Sequence, residues 1–179
     1  MTPFDRGAGT ARAPLARLLA PWLAPLLLRL ALAIPFLQSG LLKWQGFLQP
    51  SDTARYLFAS EFMLHLPGGP FPYPAPALAA FLAGCVEVIL PILLVAGAGT
   101  RIAALGLAAT TVVIQLTIPD GWAVHLTWFA MALAIAARGP GRVSIDRYLA
   151  ARGILQTLAT PPTGAAPGPG RPPSPPGRQ

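Results

Sequence analysis

Residues 22–44, WLAPLLLRLALAIPFLQSGLLKW, are almost wholly apolar, yet they carry Arg29 near the start and Lys43 at the end. At about 1.5 Å rise per residue, a helix of this length crosses a hydrocarbon core of roughly 30 Å. Arg29 and Lys43 are fourteen residues apart, about four helical turns, so they fall on nearly one face. Phe36 and Gly40 lie close to that face. A soluble core helix has no need of this length, and a simple anchor has no need of Arg29. The run reads as a membrane helix with one face turned to a protein interior. The rest of the chain reads as what that face packs against.

Composition agrees. The 179 residues are 54% hydrophobic and only 11% charged, against about 25% charged in an ordinary soluble domain. The expected fold is all-α, an integral membrane four-helix bundle in one domain. The net charge is +7, from thirteen Lys and Arg against six Asp and Glu. The positive-inside rule accounts for that excess. With no zinc-finger spacing and no aromatic-interleaved basic patch, nucleic acid is not an expected partner. Cys85 is the single cysteine, so no intramolecular disulfide and no Cys-x-x-Cys site exists in this chain. It reads as a buried helix residue. A signal peptide is considered because Ala31-Leu32-Ala33 resembles a cleavage site. The apolar run is too long for one and Arg29 interrupts it, so an uncleaved first span is expected.

In chain order, residues 1–21 are expected to be a cytoplasmic segment, with a short amphipathic stretch after Pro14. Residues 22–138 are expected to form the membrane domain, with spans at 22–44, 75–96, 101–118 and 122–137. Pro35 should kink the first span. The connection 45–74 is expected outside, with a short helix over Thr53–Leu66, N-capped by Asp52. That helix ends at Pro67-Gly68-Gly69-Pro70, and the stretch around Phe71 and Tyr73 reads as extended. Pro119-Asp120-Gly121 signals a turn. Residues 139–158 are the expected exit segment, with a short helix capped by Ser144. Residues 159–179, rich in Pro and Gly, are expected to be a disordered tail. Basic residues gather at the N-terminus, at the 97–100 turn with Arg101 and at the exit, so both termini are expected in the cytoplasm and the protein in a bacterial inner membrane.

Ionisable groups inside spans are expensive and so are expected to pair. Arg29, Glu87 and Arg101 are expected to form one inner cluster in which Glu87 pairs with Arg29 or Arg101. Such a cluster either holds the bundle in register or makes a polar floor for a quinone, lipid or proton site. Gln38, Lys43, Gln115 and His125 form a second expected group near the outer leaflet, Lys43 being read chiefly as snorkelling to the headgroups. With only His65 besides His125, no metal site is expected. Trp22, Trp44 and Trp122 read as interface residues.

The order and spacing of three segments resemble the DoxX family of small four-span membrane proteins. They are LLRLALAIPFLQSGLLKWQGF with Arg29, Gly40 and Lys43, EVILPILLVAGAGTRIAALGL with Glu87 and the Gly97–Arg101 turn, and the exit segment GPGRVSIDRYL with Asp146. The resemblance implies a four-helix membrane fold that keeps the intramembrane Arg and Glu. Some members are subunits of a thiosulfate:quinone oxidoreductase, and others accompany complexes handling thiol or oxidative stress. It therefore implies a subunit or accessory of a membrane redox system, with a redox protein as partner. No cofactor site is evident in the residues themselves, and a quinone is the one that the resemblance suggests. The other readings are a non-catalytic membrane scaffold and a small transporter or lipid-binding protein.

Overall fold

The computed structural model describes residues 22–152. The expectations for the N-terminal segment and the Pro-rich tail lie outside the described residues. Four long helices dominate: α1 (Leu23–Leu41), α3 (Pro76–Ala96), α4 (Thr100–Thr117) and α5 (Trp122–Arg138). Each, with the short turn Pro119–Gly121 added to α5, is long and apolar enough to cross a membrane. The protein is a membrane helical bundle. Its apolar core is built from Leu32, Ala33 and Phe36 of α1, Leu94 of α3, Ala104 and Leu107 of α4, and Ala132 and Ile135 of α5.

Helix boundaries follow from local chemistry. Pro76 opens α3, where its missing N–H costs nothing. Gly97 ends it in the left-handed region at φ 70°. Ala98 N–H donates to Leu93 O at 2.9 Å, which satisfies a carbonyl the helix would leave open. Gly99, at φ 58°, starts α4 at once. A short turn therefore joins the two helices as an antiparallel pair. Beyond α5, Ser144 caps the short α6 (Ile145–Ala151) by accepting from Arg147 N–H at 3.2 Å.

The long connection departs from the expected helix over Thr53–Leu66. Two antiparallel strands, β1 (Trp44–Gly46) and β2 (Gln49–Pro50), make a first hairpin. Helix α2 (Asp52–Tyr56) follows and widens into a π-helical turn, Leu57–Glu61. Strands β3 (Met63–Leu66) and β4 (Gly69–Pro72) then pair across Pro67-Gly68. The expected helix stops at Glu61 because Phe62 is extended and the next four residues find strand partners in the prolyl segment. Ser51, not Asp52, is the N-cap, accepting from Ala54 N–H at 3.2 Å.

Close packing fixes the register of α1 on α3. Gly40 lies against the Glu87 backbone, where an added Cβ would come within 2.7 Å of the carbonyl carbon. Gly97, at the far end of α3, lies against the Arg29 guanidinium. Counting rise per residue from Glu87, α3 continues about 16 Å to Pro76, while α1 stops one residue after Gly40. Helix α1 thus ends about 15 Å short of the start of α3. The connection fills that space. Trp44 packs on Gly84 and stacks edge-on against Phe81, and Ala54 and Phe58 pack on Ala80. The end carrying the 97–100 turn is called below the turn end, and the opposite one the hairpin end.

Candidate functional site

A cavity of about 440 Å³ opens inside the hairpin-end half of the bundle, within the usual size range of small-molecule sites. Its floor and one wall come from Phe36 and Ser39 of α1, Lys43 just past it, and Glu87 of α3. Phe58, Phe62 and Tyr73 of the connection roof it, and His125 and Trp128 of α5 close the back. The aromatics brace one another. Phe58 meets Phe62 and Tyr73 edge-on at centroid distances of 5.2 and 5.1 Å. Trp128 lies between Phe36 at 5.2 Å and His125 at 5.6 Å.

The polar centre of this cavity is an ion pair that the sequence reading did not foresee. Lys43 Nζ donates to Glu87 Oε2 at 2.6 Å, to Ser39 Oγ at 2.9 Å and to Ser39 O at 3.3 Å. The side chains are 15% and 4% exposed. Lys43 therefore does not snorkel outward; it folds back into the bundle. All three ammonium protons are engaged. Among the described residues, Glu87 Oε1 has no hydrogen-bond partner, and one carboxylate oxygen is left for a further donor.

The expected inner cluster of Arg29, Glu87 and Arg101 does not form. The physical reason is side-chain direction. A helical side chain leans toward its own N-terminus. Lys43 stands in the turn just past α1, and its side chain runs back onto Ser39 and Glu87. From Arg29, within α1, the lean carries the guanidinium away from Glu87, to the turn end. Arg29 is 1% exposed there and donates through Nη2 to Val143 O. Arg101 lies exposed at the same end, beside Gly139.

The turn end has its own polar knot. Asp146 Oδ1 accepts from Gly99 N–H at 2.7 Å, and Oδ2 accepts from Thr100 N–H and Thr100 Oγ1–H, each at 2.9 Å. Asp146 N–H donates in turn to Gly97 O at 2.9 Å. The exit segment so caps α4 in trans, with its carboxylate at the positive end of that helix. Burial pushes the Asp146 carboxyl up, but the hydrogen bonds from Thr100 and Gly99 and the nearby Arg29 charge outweigh it, and the group is held below its ordinary value.

Of the expected outer group, Gln115 and His125 meet and the others do not. Gln115 Nε2–H donates to Pro119 O at 2.9 Å, and Oε1 lies 2.8 Å from His125 Nδ1. The Pro119 carbonyl can only accept, so it fixes the orientation of the amide. The amide oxygen then requires Nδ1 to carry the proton, and in the neutral ring Nε2 keeps its lone pair. Gly121 leaves room for that ring: a Cβ there would collide with His125 Cε1. Gln38 is exposed on α1.

The family model for DoxX matches residues 24–126, more than half of the chain. The chain belongs to the DoxX family. Neither the curated proteins nor the solved structures hold a match to it. In this DoxX protein the matched residues run from the start of α1 into α5 and so take in the cavity lining except Trp128. Asp146 lies beyond them, although it binds the Gly97–Thr100 turn inside them. Sequence reasoning missed Phe58, Phe62, Tyr73 and Trp128 as a cavity lining. The usable signal was an excess of aromatics in a connection too apolar to be a plain loop, FASEFMLHLPGGPFPY.

Proposed function

We propose that this DoxX protein holds a quinone in the cavity and serves as a subunit or accessory of a membrane redox system. The observation that carries the reading is a buried Lys43–Glu87 pair set at the floor of an aromatic-walled cavity. The free polar groups are acceptors, and they suit the reduced form of that group, a quinol, whose ring hydroxyls donate. Aromatic walls accept a flat ring, Glu87 Oε1 is free to accept from a ring hydroxyl, and neutral His125 Nε2 offers a second acceptor. Lys43 holds Glu87 Oε2 in place. Phe36 and Trp128 orient the ring and keep water away. A quinone, when bound, supplies acceptance of two electrons and two protons. One cysteine cannot cycle a dithiol alone, so in this reading a redox protein delivers the electrons.

We place the turn end in the cytoplasm, which puts both described chain ends inside and the protein in a bacterial inner membrane. Support comes from Arg101, Arg138, Arg142 and Arg147, which all lie at or near that end. The test is mass spectrometry of the protein taken gently from native lipid, with Glu87→Gln alongside. A quinone in the parent that is missing from the folded variant supports the reading. No small molecule in either, with one stoichiometric protein retained in both, replaces it with a membrane scaffold.

A further inference from the structure

Helices α3 and α4 face each other along two matched stripes. On α3 the stripe is Leu90, Val86, Leu82 and Ala79; on α4 it is Gly106, Thr110, Val113 and Thr117. These spacings of three and four residues keep each stripe on one helical face. Toward the turn end the stripes touch: a Cβ on Gly106 would lie 2.6 Å from Leu90 Cδ1. Beyond that contact every other member of both stripes lines the cavity. The helices therefore part as they run toward the hairpin end. Leu82 and Val113 line the cavity and are 51% and 48% exposed, while Phe36 and Glu87 of the same lining are 1% and 3% exposed. Exposure that high marks the side on which the cavity reaches the bundle surface.

The top of this seam is tied shut. Tyr73 Oη and Thr117 Oγ1 share a hydrogen bond of 2.6 Å, and His65 Nδ1 lies 3.0 Å from Leu116 O. Thr117 Oγ1 also donates to Val113 O at 2.8 Å, so Tyr73 is the donor in the first bond. These contacts dock the β3–β4 hairpin and the strand leaving it on the end of α4. The opening is thus a window, closed by Leu90–Gly106 on one side and by Tyr73–Thr117 on the other. On a helix about 31 Å long, Leu82 stands about 9 Å below the hairpin end. That is membrane depth.

We propose that this window is a lateral portal, by which an amphiphile already dissolved in the bilayer enters the cavity and through which its apolar tail stays in the lipid. The inference deepens the quinone reading and rests on it for the chemistry of the head. It names the substrate class as a lipid-borne molecule with a hydrogen-bonding head and one long tail, and excludes a solute that arrives through water.

The experiment reads the route independently of the ligand. Cys85→Ala removes the only native thiol, and Thr110→Cys puts a reporter in the cavity wall. The full chain in lipid nanodiscs, both faces open to solution, is treated with an alkyl maleimide that partitions into lipid and with a charged trimethylammonium methanethiosulfonate. Rates are normalised to Asp120→Cys, an exposed turn position. The lipid-soluble reagent is expected to label the cavity at least tenfold faster than the charged one, and Leu82→Trp to slow it at least fivefold. Val86→Cys, on the facing stripe, repeats the reading should Thr110→Cys fold poorly. Equal labelling by the charged reagent, or no effect of Leu82→Trp in the folded protein, overturns the portal. Quinone retained in the parent and lost from Glu87→Gln alongside that result leaves the quinone reading standing, with entry by another path.

Discussion

Lys43 and Glu87 are the residues on which the most depends. A charge buried without its partner is costly, while a pair replaced as a unit is often nearly neutral. Lys43→Met and Glu87→Met are each expected to lower unfolding stability by about 3–5 kcal/mol. The double replacement Lys43→Met with Glu87→Met is expected to cost less than either single change. Thermal unfolding in nanodiscs across the four proteins checks this; additive losses would show that the two side chains do not interact. Gly40 is the quieter partner. A methyl there meets the Glu87 backbone, not a flexible tip, so α1 and α3 must move apart. Gly40→Ala is expected to cost about 1–3 kcal/mol and to lengthen the Lys43–Glu87 contact. A crystal or cryo-electron microscopy structure of the variant with an unchanged pair would contradict that.

At the scale of elements, the exit segment holds the turn end together. Its hydrogen bonds need the Asp146 carboxylate, and the carboxyl titrates below its ordinary value, near about 3.9 for a free Asp. A depressed folded value means that the stabilisation is complete above the unfolded value and fades as pH falls through the folded one. The parent is therefore expected to lose stability on acidification below about pH 4. Asp146→Asn is expected to start lower at neutral pH and to lack that part of the acid loss. Identical pH profiles for the two would remove Asp146 as the holder. Gly97→Ala belongs to the same knot. It puts an L side chain at φ 70° and a methyl on Arg29 and Ser144, and a loss of about 1–2 kcal/mol follows from the backbone alone. A melting temperature equal to the parent's would contradict this.

At the scale of the whole molecule, the sequence carried the membrane bundle and left its register unread. Four apolar runs with Pro, Gly and Asp punctuation are enough to count helices, because length and hydropathy are properties of each run alone. Which charge meets which depends on how far one helix slides along another. That is set by close approaches such as Gly40 on Glu87, which no single run contains. The expected spans place Arg29 and Glu87 in one inner cluster. In the fold about 16 Å of helix separates Arg29 from Gly40; Arg29 leans away from Glu87, and Lys43, in the turn past α1, reaches back to it. The connection was misjudged for a related reason. Its helix signal was genuine over Asp52–Glu61, but the space left by the early end of α1 is a tertiary fact, and it turned an outer loop into the roof of a cavity.

The central claim is that this roofed cavity binds a quinone head on the Lys43–Glu87 pair. Its most direct test is equilibrium binding of a short-tailed ubiquinol analogue, kept reduced, to the nanodisc-embedded protein, followed by quenching of tryptophan fluorescence, with Trp128 in the cavity wall as the nearby reporter. Saturable quenching is expected in the parent, at least tenfold weaker in folded Glu87→Gln and unchanged in the exposed control Gln38→Ala. Equal affinity in the parent and Glu87→Gln, or no saturable quenching at all, would contradict the claim.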